Sequence, residues 1–552
     1  MVYISISLAF VAAAIVLWKL SSHLNNYVSS ALLRRLPGPA RVSFLVGNMR
    51  QFLACDSADF QKHVALDYGP VVKLSGYLGR PLLYISDPKA LHYVLIKQEN
   101  VFQEVETFSV LNMKTFGPGL LSTLGHQHGK QRKLMNPVFS VNHMRHMLPV
   151  FYSVCHRLRD AIAARLQDER QEIDVLHWMG RAALEIIGQA GLGHSFDSLV
   201  EDRGDPYGQA VKAFIPNLNP LLHYRWLVVL VHKMSLPAWL QRAMLSVFPA
   251  HSTIARLVAA VDTMDTSARR IYNSKKSAYE RGDAKTVGQM GREKDIISIL
   301  IRANAQTVEK ERLSEEEVIA QLTTLIFAAM DTSSNTLSRM LQLLAEHPEV
   351  QSKLRQELLG ARAAEGLSYE ELNKLSLLDC VCRETLRLHR ATNVPRYRAA
   401  TDTVLPLSEP ISLVDGEAVS ELPIPAGTNV IIGILGSNLN KALWGSDSEE
   451  WRPERWLSPP PPALTNARIP GVYSNLLTFI GGKRACIGFK FAEMEIKVVL
   501  ATLISHFTFE LSDKPIVWNN SSITFPSVAD GGNKPALPMK VSLYRLSEGE
   551  YM

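Results

Sequence analysis

Near the carboxyl end of this 552-residue chain, one cysteine stands among three glycines and two cations: Phe479-Ile480-Gly481-Gly482-Lys483-Arg484-Ala485-Cys486-Ile487-Gly488. At ordinary residue frequencies, F-x-x-G-x-R-x-C-x-G arises by chance in a chain of this length about once in ten thousand or less. The chemistry the frame suits is that of a thiolate. Gly481, Gly482 and Gly488 are expected to allow tight, positive-φ turns and a close approach of backbone to a flat cofactor. An apolar, helix-like run follows Cys486, so backbone N–H groups at its start, with Arg484 nearby, favour the deprotonated sulfur that binds metal. A buried structural cysteine beside a Gly-rich turn is the plainer alternative.

Two further groups could do chemistry. Asp331-Thr332 is a carboxyl next to a hydroxyl, in a polar run (Asp331 to Asn335) that interrupts the apolar Leu325 to Met330. Burying such a run is costly unless each group finds a partner; Thr332 can return a hydrogen bond to the Ala328 carbonyl. Glu384 and Arg387, three apart, share one helix face. That spacing alone is weak, since about two E-x-x-R matches arise by chance in a chain of this size.

The elements that position these groups are legible in outline. Ser314 and Glu317 read as a capping box, and no Pro or Gly follows until Pro348, which predicts one helix of about nine turns. Cys380 and Cys382, just before the Glu384 motif, read as small core residues. Five cysteines, odd in number and without zinc-type pairing, exclude a disulfide scaffold. A net charge of +6 without a basic stripe argues against nucleic acid as the partner; a membrane surface or an acidic protein fits better. Between about residues 37 and 546 there is no linker, charge block or repeat, so one large, mainly helical domain is expected.

Met1 to Trp18 carries no charge and as a helix would span roughly 27 Å. Lys19, Arg34, Arg35 and Arg41 follow, which under the positive-inside rule puts the body on the cytosolic side. We therefore expect an anchor over residues 1–20, a linker over 21–36 and one catalytic domain over 37–552, with a stiff Pro37-Gly38-Pro39 hinge between anchor and body. Phe214 to Phe248 is rich in large apolar residues but too interrupted to span a bilayer; core helices are the first reading and a lip dipping into the membrane the second.

The cysteine frame, the Ala328-Ala329-Met330-Asp331-Thr332 segment, Glu384-Thr385-Leu386-Arg387 and Pro453-Glu454-Arg455-Trp456, in that spatially distributed set, resemble the motifs of the cytochrome P-450 superfamily, and most closely those of fungal microsomal members. The resemblance runs from Leu36 to the carboxyl terminus. It implies an α+β fold, mainly α, with a large helical domain and a smaller β-rich region behind a single N-terminal transmembrane helix. It implies haem b (iron protoporphyrin IX) with Cys486 as axial iron ligand, Phe479, Arg484 and Gly488 in the haem loop, and His128, Arg132 and Arg398 beside the propionates. Asp331 and Thr332 are implied as the catalytic, proton-relaying pair, and Glu384, Arg387 and Arg455 as a buried structural network. Ala329 stands where the family more often has glycine, and His128 where tryptophan is commoner. By analogy Phe102 to Leu121 forms the loop over the pocket, and Lys130, Lys133, Lys483 and Lys490 offer a basic face to a redox partner.

The implied activity is insertion of one oxygen atom of O2 into a lipophilic small molecule, in secondary metabolism or detoxification. The implied setting is the endoplasmic reticulum membrane, with the catalytic domain cytosolic and in contact with lipid. Electrons would come from NADPH through a separate flavin reductase, with cytochrome b5 as an auxiliary donor, and the thiolate would favour O–O cleavage. The rivals are a reductase-independent haem-thiolate isomerase or dehydratase and a non-enzymatic haem sensor; the retained Asp331-Thr332 pair argues against both.

Overall fold

Apolar residues at helical spacing shape most of the molecule. The structure, a computed structural model, describes residues 30–166, 170–200, 204–281, 295–392, 396–520, 522–532 and 534–545. Its principal helices are α1 (Ala58–Leu66), α2 (Glu106–Phe116), α3 (Gly125–Met135), α4 (Val141–Leu166), α5 (Val175–Ile186), α6 (Pro206–Leu218), α7 (Arg225–Lys233), α8 (Ala238–Ser246), α9 (Thr253–Glu280), α10 (Glu315–Glu346), α11 (Ser376–Leu388) and α12 (Phe489–His506). The strands are β1 (Val71–Ser75), β2 (Pro81–Ile85), β3 (Phe102–Glu104), β4 (Gln171–Asp174), β5 (Arg396–Ala399), β6 (Thr403–Ser412), β7 (Ala418–Ile424), β8 (Asn429–Ile432), β9 (Phe507–Leu511), β10 (Ile516–Asn519), β11 (Phe525–Val528) and β12 (Pro538–Leu543). The class is mainly helical α+β with small sheets.

The largest sheet has the order β1-β2-β8-β5-β3. Only β2 and β8 run parallel, with Leu82 opposite Asn429; the other pairs are antiparallel. A second sheet, β4-β12-β9, joins distant parts of the chain, and β6-β7 and β10-β11 are two-stranded ribbons. Pro37 accepts a 2.9 Å bond from the Lys73 N–H, so the Pro/Gly hinge is seated on β1.

The helix α10 has 32 residues, begins at Ser314 with both halves of the capping box in place, and ends before Pro348. At 1.5 Å per residue it is about 48 Å long. Nearly all of its middle is buried, and α5, α6, α9 and α12 pack around it. The first reading of Phe214 to Phe248 as core helices holds at its start, where Phe214, Ile215, Leu218 and Leu222 are buried, and fails from Arg225 on: α7 and α8 contain no buried residue, and Trp226, Met234, Trp239 and Phe248 are exposed. Phe102 to Leu121 is likewise more than a loop, since β3 and α2 occupy most of it. Cys380 and Cys382 are buried free thiols. The expected anchor over residues 1–20 lies outside the described residues; among the described residues no helix is long and apolar enough to cross a membrane.

Candidate active site and cofactor cradle

The Cys486 loop is shaped by what crowds it. An added Cβ at Gly481 would lie 1.4 Å from the Pro470 carbonyl oxygen, and at Gly482 2.0 Å from that of Leu95. Of the three loop glycines only Gly482 has a positive φ, +72°; Gly481 has −137° and Gly488 −91°. The left-handed residue beside them is Ile480, at φ 55°. Neighbouring backbone thus requires Gly481 and, together with its positive φ, Gly482, whereas a Cβ at Gly488 would meet only the Phe139 ring at 3.8 Å. Cys486 donates its backbone N–H to the Phe479 carbonyl at 2.9 Å, and the Phe479 ring sits between Tyr473, 5.6 Å away and perpendicular, and Phe489 at 6.2 Å. Gly488 is the N-cap of α12.

Two features of Cys486 bear on metal binding. Its residue is exposed, yet protein surrounds it so fully that burial pushes the thiol up, against the Gly488 N–H and the Arg132 charge, which lower it. A thiol deep in the body that still meets open space suits a bound group, because a coordinating cation deprotonates a thiol outright. The countercharge is Arg132, where the sequence suggested Arg484.

Above and beside this loop lie the groups suited to haem carboxylates. From α3, Arg132 donates to the carbonyls of Ala485, at 2.5 Å, and Lys483. Arg484 donates to the carbonyls of Leu120 and Thr123 and pairs with Glu104 at 3.0 Å. His128 is buried, and burial together with Arg484, Arg132 and Lys483 drives its pKa down to about 3. Burial raises Glu104 to about 7, with Arg484 opposing. Arg398, exposed on β5, borders a cavity of about 670 Å³ that Glu104, Ser122 and Leu124 also line. A neutral imidazole ringed by three cations, with one buried carboxyl among them, is a cluster in need of anions, and haem propionates fit it.

The polar stretch of α10 finds its partners. Thr332 Oγ1 donates to the Ala328 carbonyl at 2.7 Å. Ala328, Ala329 and Thr332 keep partial access to open space while the residues around them are buried; these three share one helix face. Asp331 is turned elsewhere: Lys212 of α6 donates to its Oδ1 at 2.8 Å and to Ser334 Oγ at 2.5 Å. Ser333 donates to Glu495 Oε2 of α12 at 2.7 Å. Glu495 is fully buried, its Oε1 has no partner, and burial raises its carboxyl to about 8. Phe327, beside Ala328 on the same helix, forms an aromatic cluster with Phe116 and Phe214, with ring centroids 4.7 to 5.6 Å apart.

Glu384, Arg387 and Arg455 meet in one buried cluster. Arg387 grips Glu384 with two bonds, 2.9 and 2.8 Å, and Arg455 Nε adds a third at 2.8 Å. Trp456 Nε1 and the Arg452 N–H supply the remaining donors. Burial would raise the Glu384 carboxyl, but these bonds and charges outweigh it and hold it below the usual range. Arg387 also donates to the Asn438 carbonyl, while Asn438 takes the Leu477 N–H and reaches Thr478. The cluster is therefore coupled to the chain just before Phe479.

Sequence reasoning missed Lys212, Glu495, Asn438 and Trp456. Glu495, in a helix that reads as apolar, carried a signal as an unexplained charge; the others carried none, because their partners are remote in the chain. Of the lysines expected on the basic face, Lys130 donates to the Arg312 carbonyl, Lys483 pairs with Glu99 and Lys490 lies over the Phe489 ring, and Lys133 and Lys483 are the exposed ones.

Comparison with known proteins agrees with this site. The cytochrome P450 family model matches residues 37–528. The chain is 53% identical to cytochrome P450 monooxygenase 81 of Postia placenta, over 95% of both chains. It is 43% identical to the ganoderic acid synthetase CYP5150L8 of Ganoderma lucidum, over 97% of both, and 35% identical to the cytochrome P450 monooxygenase eriI of Hericium erinaceus, over 97% of this chain and 98% of that one. The chain belongs to the cytochrome P450 family, as a haem-containing monooxygenase with fungal relatives. Membership implies a small-molecule substrate and a redox partner.

Proposed function

We propose that the protein is a membrane-anchored monooxygenase that places one oxygen atom of O2 on a lipophilic small molecule in fungal secondary metabolism, with electrons passed from NADPH by a separate reductase. The observation that carries this reading is the exposed Cys486, enclosed by a glycine loop, in a body whose central helix turns two alanines and a threonine to open space beside an aromatic cluster. The name of the ganoderic acid synthetase supports a secondary metabolite, and detoxification draws on the same apparatus. When bound, haem supplies the oxygen-activating and electron-transfer chemistry.

The chain's own residues do the rest. Cys486 holds the iron; Arg132, His128, Arg398 and Arg484 hold the propionate edge, with Phe479 and Gly488 shaping the loop. Phe116, Phe214 and Phe327 exclude water and orient an apolar substrate. Thr332 spends its proton on the Ala328 carbonyl, so its oxygen is left as acceptor toward the open side and can hold a water there. Asp331, about 100° around the helix from Thr332 and held by Lys212, moves a proton only by leaving Lys212 and swinging toward Thr332, so Lys212 sets how readily that happens. Glu384, Arg387 and Arg455 keep the loop in place.

The membrane reading draws on the exposed faces of α7 and α8. Trp226, Leu230, Trp239 and Phe248 are exposed, as are Phe44 and Leu45, and Arg225 lies near Tyr77. Leu78 donates its N–H to the Leu45 carbonyl, which ties the two exposed segments into one apolar side. Large apolar residues in one patch mark an interaction surface, and with residues 1–20 as anchor this side would lie on the endoplasmic reticulum membrane. The test is the carbon monoxide difference spectrum of the reduced enzyme beside Cys486→Ala. The red-shifted Soret band of thiolate ligation is expected in the wild type alone; a variant that keeps it overturns the assignment. NADPH use that rises with substrate and reductase separates a monooxygenase from the isomerase and sensor readings.

A further inference from the structure

A second cavity, of about 460 Å³, lies one turn beyond Thr332, lined by Asn335, Thr336 and Arg339 of α10, by Leu388 to Ala391 after α11, and by Trp518 and Asn520 of the β10 region. It opens to the surface between the exposed Asp59 and Lys62 of α1.

Among the described residues its lining holds two guanidinium groups, Arg339 and Arg390, and two carboxylates, Asp59 in solvent and Glu449 paired with Lys62 and Lys441. Arg390 donates to Gln61 Oε1 at 2.5 Å. Arg339 donates to Gln342 Oε1 at 3.2 Å and lies over the Trp518 ring at 5.0 Å. Both Nε atoms are buried without a hydrogen-bond partner, as is Asn335 Oδ1. The carboxylate that Arg339 feels, Glu346, takes its bond from Gln342. His389 Nε2 accepts from Arg339 Nη2 at 3.5 Å, and burial, with Arg339, Arg387 and Arg390, holds its pKa far down, so it stays neutral. Both arginines are part-buried, and among the described residues neither forms an ion pair with a carboxylate, an arrangement that a bound anion would complete. Leu388, Leu435, Leu439 and Trp451 form the apolar part of the lining, beside the polar Thr336, Asn520 and Thr524.

We propose that this cavity binds a carboxylate-bearing, otherwise apolar small molecule between Arg339 and Arg390, as a site separate from the cradle around Cys486. The guanidinium fork matches carboxylate geometry, the leucines and tryptophan take the hydrocarbon, and Asn335 Oδ1 accepts from a protonated or hydroxyl-bearing end. The acid is either a free molecule or the acid end of a substrate reaching across from the Thr332 side.

The test uses the full-length, haem-loaded enzyme in detergent micelles, with melting followed in HEPES buffer at constant ionic strength. Sodium hexanoate at about 100 times its dissociation constant should raise the melting temperature by about 2–3 °C, while hexanamide and sodium chloride should not. Arg390→Gln and Arg339→Gln should each abolish the rise, and Arg390→Lys should keep part of it. If the glutamine variants do not fold, the wild-type contrast between hexanoate and hexanamide still decides. Hexanoate stabilisation without a Soret change identifies a free acid. A Soret shift with dodecanoic acid that Arg390→Gln weakens tenfold or more, while the shift with dodecanol is unchanged, identifies the acid end of a substrate. Equal melting shifts for hexanoate, hexanamide and chloride, or an undiminished hexanoate shift in both glutamine variants, would overturn the proposal.

Discussion

Replacing Glu495 by Gln should stabilise the enzyme, and the gain should grow with pH. Glu495 is fully buried, has one hydrogen bond, from Ser333, and leaves Oε1 without a partner. Burial lifts its carboxyl from an ordinary 4.5 to about 8. A carboxyl whose pKa is raised in the folded state favours folding fully below the unfolded value and loses that advantage as pH climbs through the folded one. At about 1.4 kcal/mol per pH unit, the span from 4.5 to 8 sets an upper bound of about 5 kcal/mol. Relaxation of the site brings the expected effect nearer half of that. An unfolding entropy of about 2.1 cal/mol/K per residue gives about 1 kcal/mol per degree for a body of this size. The melting temperatures of wild type and Glu495→Gln should therefore coincide near pH 4.5 and separate by about 2–3 °C by pH 8, the variant being higher. Scanning fluorimetry of the haem-loaded proteins at half-unit intervals reads this directly. A gap that is constant with pH, or a variant that melts lower as pH rises, would refute the idea of a buried carboxyl held neutral behind Thr332.

Arg455→Leu should remove one of the two cations on Glu384, cost about 3–5 kcal/mol, and appear as loss of haem absorbance per mole of purified protein. Lys212→Gln should free Asp331, and oxygen consumed per product formed in a reconstituted assay should change several-fold while the reduced carbon monoxide spectrum does not. Gly481→Ala should prevent accumulation of holoprotein, because the Pro470 carbonyl occupies the place of the new methyl; normal yield would count against the loop geometry. Trp226→Glu with Trp239→Glu should weaken flotation of the protein with phospholipid vesicles by tenfold or more, once residues 1–29 are removed, without loss of haem.

The motifs were legible because their chemistry is local. A cysteine between glycines, Thr332 four residues after Ala328, Glu384 three before Arg387, and a capping box at Ser314 are each set by backbone periodicity or by neighbours within one turn. The same locality placed α10 almost to the residue. What lay beyond was decided by distant partners. The reason Gly481 is glycine is a carbonyl eleven residues back, and the reason Asp331 faces away from Thr332 is Lys212 on another helix. Apolar composition marked Phe214 to Phe248, yet composition does not say whether an apolar face meets core or solvent; the packing of α7 and α8 on the outside does. The charged residues show the division most plainly. The residue types alone determine that Glu384, Arg387 and Arg455 are charged, and so must be paired wherever they are buried; only the tertiary structure brought them together, left the Nε atoms of Arg339 and Arg390 without a partner beside a cavity, and enclosed Glu495, because burial and pairing are properties of the whole packed chain.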